Sequence, residues 1–320
     1  MQTYLKTRPA IIQLLLFIGM AFGIFMVLSL IGTVILSSMT GMGLLQLSDP
    51  TKWNMNNPKM MLFIRGMLVL QFLGLFLIPT LLFGYFSDPK PRTYLGLKAP
   101  SKSIYWILAI VVMLVAIPAV EYTGLLNRDI QLSSATRKWM EGMEKQAQAT
   151  IQFMLNERTP ANLIQNLIFI ALFAGIGEEL FFRGVLQRLF IRAFKNPWMG
   201  IVVAAFLFSF FHFQFLGFVP RFLLGILLGA IYWYSGSIWP AIIAHFFYDG
   251  LFIVLAYLNP AMVNDENATL MKPSAMAIAA IFSTVLVFVL IAIMKRNSTT
   301  SYEEVYAGDK PQLNDQDLSF

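Results

Sequence analysis

Long apolar runs separated by short polar or charged breaks dominate this chain, and the length of each run sets what it can build. A helix rises about 1.5 Å per residue, so roughly 20 apolar residues cross a hydrocarbon core of about 30 Å. By that measure the pattern predicts eight spanning helices, over residues 10–36, 60–86, 103–126, 161–192, 197–216, 220–234, 238–258 and 275–294. The fourth is longer than a crossing requires. The sixth is short for one and is bounded by Pro220, Ser235, Gly236 and Pro240, as helix ends would be. The expected fold is all-α: a polytopic membrane helix bundle with about eight transmembrane helices.

Some stretches fall outside this pattern. Lys6 and Arg8 precede the first run as in a signal peptide, but the run is too long for a cleaved segment and lacks a convincing cleavage site, so it reads as the first span. Between the third and fourth runs, residues 135–155 are helix-compatible and mix Trp139, Met143, Ile151 and Met154 with charged residues. A helix lying on the outer membrane surface and an ordinary solvated connector both fit that mixture. Residues 297–320 are polar and expected to form a disordered cytoplasmic tail. The chain then divides into residues 1–160 with three spans and the outer loop helix, 161–258 with the chemistry described below, 259–296 with the last span, and the tail. No internal repeat is visible.

Composition reinforces the membrane reading. Hydrophobic residues make up 58% of the 320 and charged residues 12%, too little charge to cover a soluble domain of this size. The absence of cysteine excludes disulfides, thiolate nucleophiles and thiolate-bound zinc. A net charge of +6 does not point to nucleic acid, because the basic residues crowd beside the apolar runs. Lys90, Arg92, Lys98 and Lys102 fill the second loop, Arg188, Arg192 and Lys195 follow the fourth run, and Lys295 and Arg296 follow the eighth; Asp265 and Glu266 follow the seventh. The positive-inside rule then places both termini and the basic loops in the cytoplasm, with the mixed loop 127–160 outside.

Against this background a few ionisable residues stand out, since each costs on the order of 2.5–3.5 kcal/mol at the centre of a spanning helix. The fourth run contains Glu178 and Glu179, followed by Arg183. Glu179 and Arg183 are four apart and share a helix face, so they can pair. Glu178 is rotated by about 100° and left out of that pair, as a general base working near neutrality needs. Gly175, Gly177 and Gly184 would let neighbouring backbones approach closely. Both histidines of the chain, His212 and His245, also lie in apolar runs. Phe208 stands one turn before His212, placed to pack on its ring. His245 and Asp249 are again four apart, so the carboxylate can orient the imidazole, or both can bind a metal. Arg65 and Glu121 read as structural residues near the outer ends of their spans, and the Gly225 and Gly229 spacing as a helix-packing face.

In order and on separate spans, Glu178-Glu179 with Arg183, Phe208 with His212, and His245 with Asp249 resemble the CPBP family of intramembrane endopeptidases, the CAAX protease and bacteriocin-processing family. The resemblance covers about residues 161–258. It implies a hydrolase in which Glu178 and His212 activate a water and His245 with residue 249 stabilises the oxyanion, with Glu179, Arg183 and Phe208 in support. The chain departs from the family at Asp249, where asparagine is commoner. An amide can donate a hydrogen bond to an oxyanion, whereas an ionised carboxylate repels it. The expected partners are the bilayer and a peptide or protein substrate near the cytoplasmic membrane face, and no nucleic acid. No cofactor is required; zinc remains open, with Glu178, His212, His245 and Asp249 as its nitrogen and oxygen ligands. Two other readings use the same residues: a non-proteolytic scaffold or immunity-type binding protein, and a transporter with a proton relay.

Overall fold

The computed structural model describes residues 4–47, 53–259, 261 and 273–306, and all regular structure among them is helical. The predicted acidic loop with Asp265 and Glu266, and residues 307–320 of the expected disordered tail 297–320, lie outside the described residues; within that tail Tyr302–Tyr306 is helical and Tyr306 is buried. Among the described residues nine helices exceed ten residues: α1 (Ala10–Thr40), α2 (Met60–Ser87), α3 (Ile104–Arg128), α4 (Ser134–Asn156), α5 (Pro160–Phe194), α6 (Pro197–Phe210), α7 (Phe218–Ser235), α8 (Trp239–Leu258) and α9 (Pro273–Asn297). Among the described residues, seven are long and apolar enough to cross a membrane; α4 is too polar and α6, with 14 residues, too short.

This corrects the expected run 197–216. The helix stops at Phe210, and a single turn of tighter helix at Phe215–Gly217 precedes α7. The abbreviated helix is therefore the fifth apolar run and not the sixth, which extends over Phe215–Ser235 as a full crossing. Residues 135–155 do form the expected helix, α4.

Local sequence explains the starts. Ser133, Thr159 and Asn196 each cap a helix by accepting from backbone amides two or three residues on, and Pro160 and Pro197 follow their caps at the first helical position. Two helices are not uniform. Helix α2 widens to π geometry at Phe72–Leu77, and α5 does so at Leu167–Leu172 and again at Glu179–Gln187. Such turns recur where side chains must be re-aimed at functional sites.

Helices α3 and α8 are the most enclosed spans, while α1 and α9 present outward rows such as Leu15, Met26 and Leu30 or Ile281, Phe282 and Phe288. In a membrane those rows face lipid, where exposed apolar surface is the stable arrangement. Two of the three apolar cores among the described residues contain buried residues of α5. One joins Tyr105, Ala109 and Val112 of α3 to Leu228 and Ile231 of α7 and Ala241 of α8. The other is aromatic: Phe17 of α1 lies 5.0 Å from Phe83 of α2 and 4.8 Å from Phe181 of α5, ring centre to ring centre. Together they clamp α5 on both sides and leave its middle as the most buried polar segment of the fold.

Candidate active site

Helix α5 supplies the first polar group. Glu179 and Arg183 are both buried, and Arg183 donates from Nη1 to Glu179 Oε1 at 2.7 Å, the pairing expected from their spacing. Its Nη2 donates to the Gly225 carbonyl of α7 at 3.1 Å, and its guanidinium lies 4.6 Å from the centre of the Phe208 ring. One turn further, Gln187 Nε2 donates to the Gly229 carbonyl at 3.0 Å. The Gly225 and Gly229 spacing thus packs closely, as expected, and also exposes two carbonyls to a polar ladder on α5. A Cβ on Gly229 would come within 2.6 Å of Gln187 Oε1.

Two of the three glycines around the glutamate pair allow close approach. A Cβ on Gly175 would lie 3.2 Å from the Ile242 carbonyl of α8, and one on Gly177 would lie 3.0 Å from Phe76 of α2. The first of these contacts brings α8, and with it His245, against the motif.

His245 Nδ1 lies 2.9 Å from Glu179 Oε1, and its Nε2 lies 3.3 Å from Asp249 Oδ2. The ring is therefore held between two carboxylates, one on α5 and one a turn further along α8. Sequence spacing predicts the second contact but not the first.

His212 sits beyond the end of α6. Its Nδ1 lies 2.6 Å from the Phe208 carbonyl, and its ring stands edge-on to the Phe208 ring at 4.9 Å. A carbonyl can only accept, so Nδ1 carries the hydrogen and the neutral ring presents a bare Nε2. The early stop of α6 places this ring near His245, although counting along uninterrupted helices would set the two at different depths.

Glu178 points away from the Glu179–Arg183 pair, as its rotation predicts. Its Oε2 lies 4.0 Å from His212 Nε2 and 4.0 Å from His245 Nε2. These separations are too long for direct hydrogen bonds. They suit a bridging water about 2.8 Å from each partner. All three groups line one cavity of about 880 Å³, together with Asp249, Tyr248 and Arg221. Apolar side chains such as Phe72, Phe173 and Phe252 form much of the remaining wall, and Ile151 and Leu155 of α4 cover one side.

The structure thus brings together Glu178, His212, His245 and Asp249, with Glu179, Arg183 and Phe208 behind them. It adds Arg221, whose Nη1 and Nη2 donate to the carbonyl and side-chain oxygens of Gln214 at 2.7 Å each. A charged residue in an apolar run was the available signal for it. Arg65, read as structural, donates to Asn162 and lies 5.8 Å from the Phe169 ring, while Glu121 lines the cavity.

The donor set does not fit a zinc ion in this arrangement. Tetrahedral ligands at zinc distances stand roughly 3.3 Å apart. The Glu178 oxygen is farther than that from both imidazoles, and among the described residues no group of three or more His, Asp or Glu side chains is gathered to hold a metal.

Comparison with known proteins meets the chain at this same segment. Residues 160–251 match the family model described as type II CAAX prenyl endopeptidase Rce1-like. A Bacillus subtilis (strain 168) protein, YpbD, described as uncharacterized, is 31% identical over 93 residues, which are 28% of this chain and 44% of that relative. The match therefore spans less than half of the relative's length. No solved structure matches. All three motifs fall within the matched residues, so the segment from α5 into α8 is Rce1-like, within an integral, multi-pass membrane protein.

Proposed function

We propose that the chain is an intramembrane endopeptidase that hydrolyses peptide bonds of membrane-associated substrates. The observation that carries this reading is the position of Glu178 Oε2, 4.0 Å from Nε2 of each histidine and at the wall of the cavity. A water held there donates one hydrogen to Glu178 and the other to the bare Nε2 of His212. Its lone pair is then free for a substrate carbonyl carbon.

As the water oxygen bonds to that carbon, its proton passes to Glu178 and the carbonyl oxygen gains negative charge. Nε2 of His245, when protonated, donates to this oxyanion. Collapse of the intermediate breaks the C–N bond, and Glu178 returns the proton to the departing amine. Glu179 fixes the plane of the His245 ring through Nδ1. In the resting site Asp249 faces the same Nε2 at 3.3 Å, so its part is to orient the ring until substrate arrives. No step is routed through a metal.

The test is cleavage of membrane-anchored peptides by purified protein in lipid nanodiscs. Glu178→Gln and His212→Ala are each expected to lower kcat on the order of 10²–10⁴-fold. Unchanged cleavage in both variants rules the reading out. A non-proteolytic binding protein would instead tolerate Glu178→Gln in any assay of its biological role.

A further inference from the structure

Asn127, in the last turn of α3, belongs to none of the three motifs, yet its side chain is committed to the turn that carries His212. Its Nδ2 donates to the carbonyls of Phe215 at 2.9 Å and Leu216 at 2.8 Å, and its Oδ1 accepts from the Val219 amide at 3.1 Å. The residue is only 8% exposed. Both amide hydrogens are thereby used, on carbonyls that are costly to leave unpaired away from water.

The turn needs such a tie. Helix α6 ends at Phe210, and Phe213 adopts a left-handed φ of 54°, unusual for a bulky residue. Its own backbone bonds are local: the His212 and Phe213 amides reach back to the Ser209 and Phe210 carbonyls at 3.3 and 3.1 Å, and the Gly217 amide reaches Gln214 at 3.2 Å. Arg221 and Ser209 add bonds from the two helices that the turn joins. Asn127 ties it to a different helix, α3, whose Tyr105, Ala109 and Val112 lie in the central core.

We propose that Asn127 is a positioning residue for His212, setting the separation between the imidazole Nε2 and Glu178. Its kinetic consequence rests on the endopeptidase reading; its structural consequence does not. Asn127→Asp keeps the shape but turns a carboxylate toward two carbonyls, and Asn127→Ala removes the tie without repulsion. Ser283→Ala is the matched control, because Ser283 of α9 also makes buried hydrogen bonds to α3, at Val115 and Ala119, away from the site.

The chain has two histidines, so histidine-labelled protein gives two sets of ring resonances by NMR, assigned with His212→Gln. In both Asn127 variants the His212 resonances are expected to move while those of His245 stay in place. Turnover should fall on the order of 10–100-fold in kcat with little change in KM, as a misplacement of about 1 Å does. Ser283→Ala should leave both histidines and kcat as in the wild type. If Asn127→Asp does not fold, Asn127→Ala decides alone. Unmoved His212 resonances, or equal movement of both rings, overturns the assignment. If the wild type cleaves nothing, the endopeptidase reading fails while the resonances still decide the role of Asn127.

Discussion

Glu179 and His245 meet across two helices, the Nδ1–H of the imidazole donating to the same carboxylate oxygen that accepts from Arg183. One buried oxygen therefore neutralises a cation on its own helix and orients a ring on another. Removing it strands Arg183 without its counter-charge, which for a broken buried pair costs about 3–5 kcal/mol. Glu179→Ala is expected to unfold at a markedly lower temperature, whereas Glu179→Gln should fold but turn over poorly. Thermal unfolding of both variants in detergent separates the two effects. A Glu179→Ala protein as stable as the wild type would mean that the Gly225 carbonyl and the Phe208 ring suffice to hold Arg183.

Asp249 is where the chain departs from the family it resembles. An asparagine there keeps an oxygen for His245 and adds an N–H that can reach an oxyanion. Asp249→Asn should retain activity within about tenfold of the wild type or exceed it, since a donor replaces a repelling charge. Asp249→Leu removes both functions and should be far slower. The comparison is of kcat on one anchored peptide; an asparagine variant as inactive as Glu178→Gln would make the negative charge itself essential.

Gly200 shows how tightly α6 is seated. A Cβ there would fall 2.3 Å from Ile191 Cγ1 and 2.6 Å from the Ile191 backbone nitrogen, an atom that cannot swing aside. Gly200→Ala should destabilise by about 1–3 kcal/mol through overpacking. Gly23 of α1 has nothing within 4 Å of such a Cβ, so Gly23→Ala should stay within about 0.5 kcal/mol of the wild type. Equal unfolding midpoints for the two variants would contradict the packing described for α6.

Orientation follows from loop charge, and the cysteine-free sequence offers a clean background for testing it. Lys98→Cys should react with an impermeant maleimide only from the cytoplasmic side, and Trp139→Cys, on exposed α4, only from the outside. Reversed labelling would invert the orientation assigned to the whole bundle.

How much of this was legible in the sequence depended on distance along the chain. Spanning runs are a one-dimensional property, so most predicted ends fall within a few residues of the observed ones. The Glu179–Arg183 and His245–Asp249 pairs were legible because residues four apart meet on any helix. The Glu179–His245 bond joins residues 66 apart and depends on how α5 and α8 pack, which no local pattern encodes. The end of α6 was hidden for a different reason. Phe211, Phe213, Phe215 and Leu216 keep the run apolar around the isolated His212 and Gln214, and the first glycine after the helix is Gly217, so no breaker marks Phe210 as the stop.

That early stop has a consequence for the surrounding bilayer. Fourteen residues span about 21 Å, some 9 Å less than a typical hydrocarbon core, and lipid beside α6 must thin or be replaced by protein to match it. Lengthening the helix would relieve the mismatch but carry the imidazole away: each added residue turns it by about 100°, and a full turn shifts it by about 5.4 Å. On the proposed role of His212, the length of α6 is set by where that ring stands, and lipid or neighbouring protein accommodates the short helix.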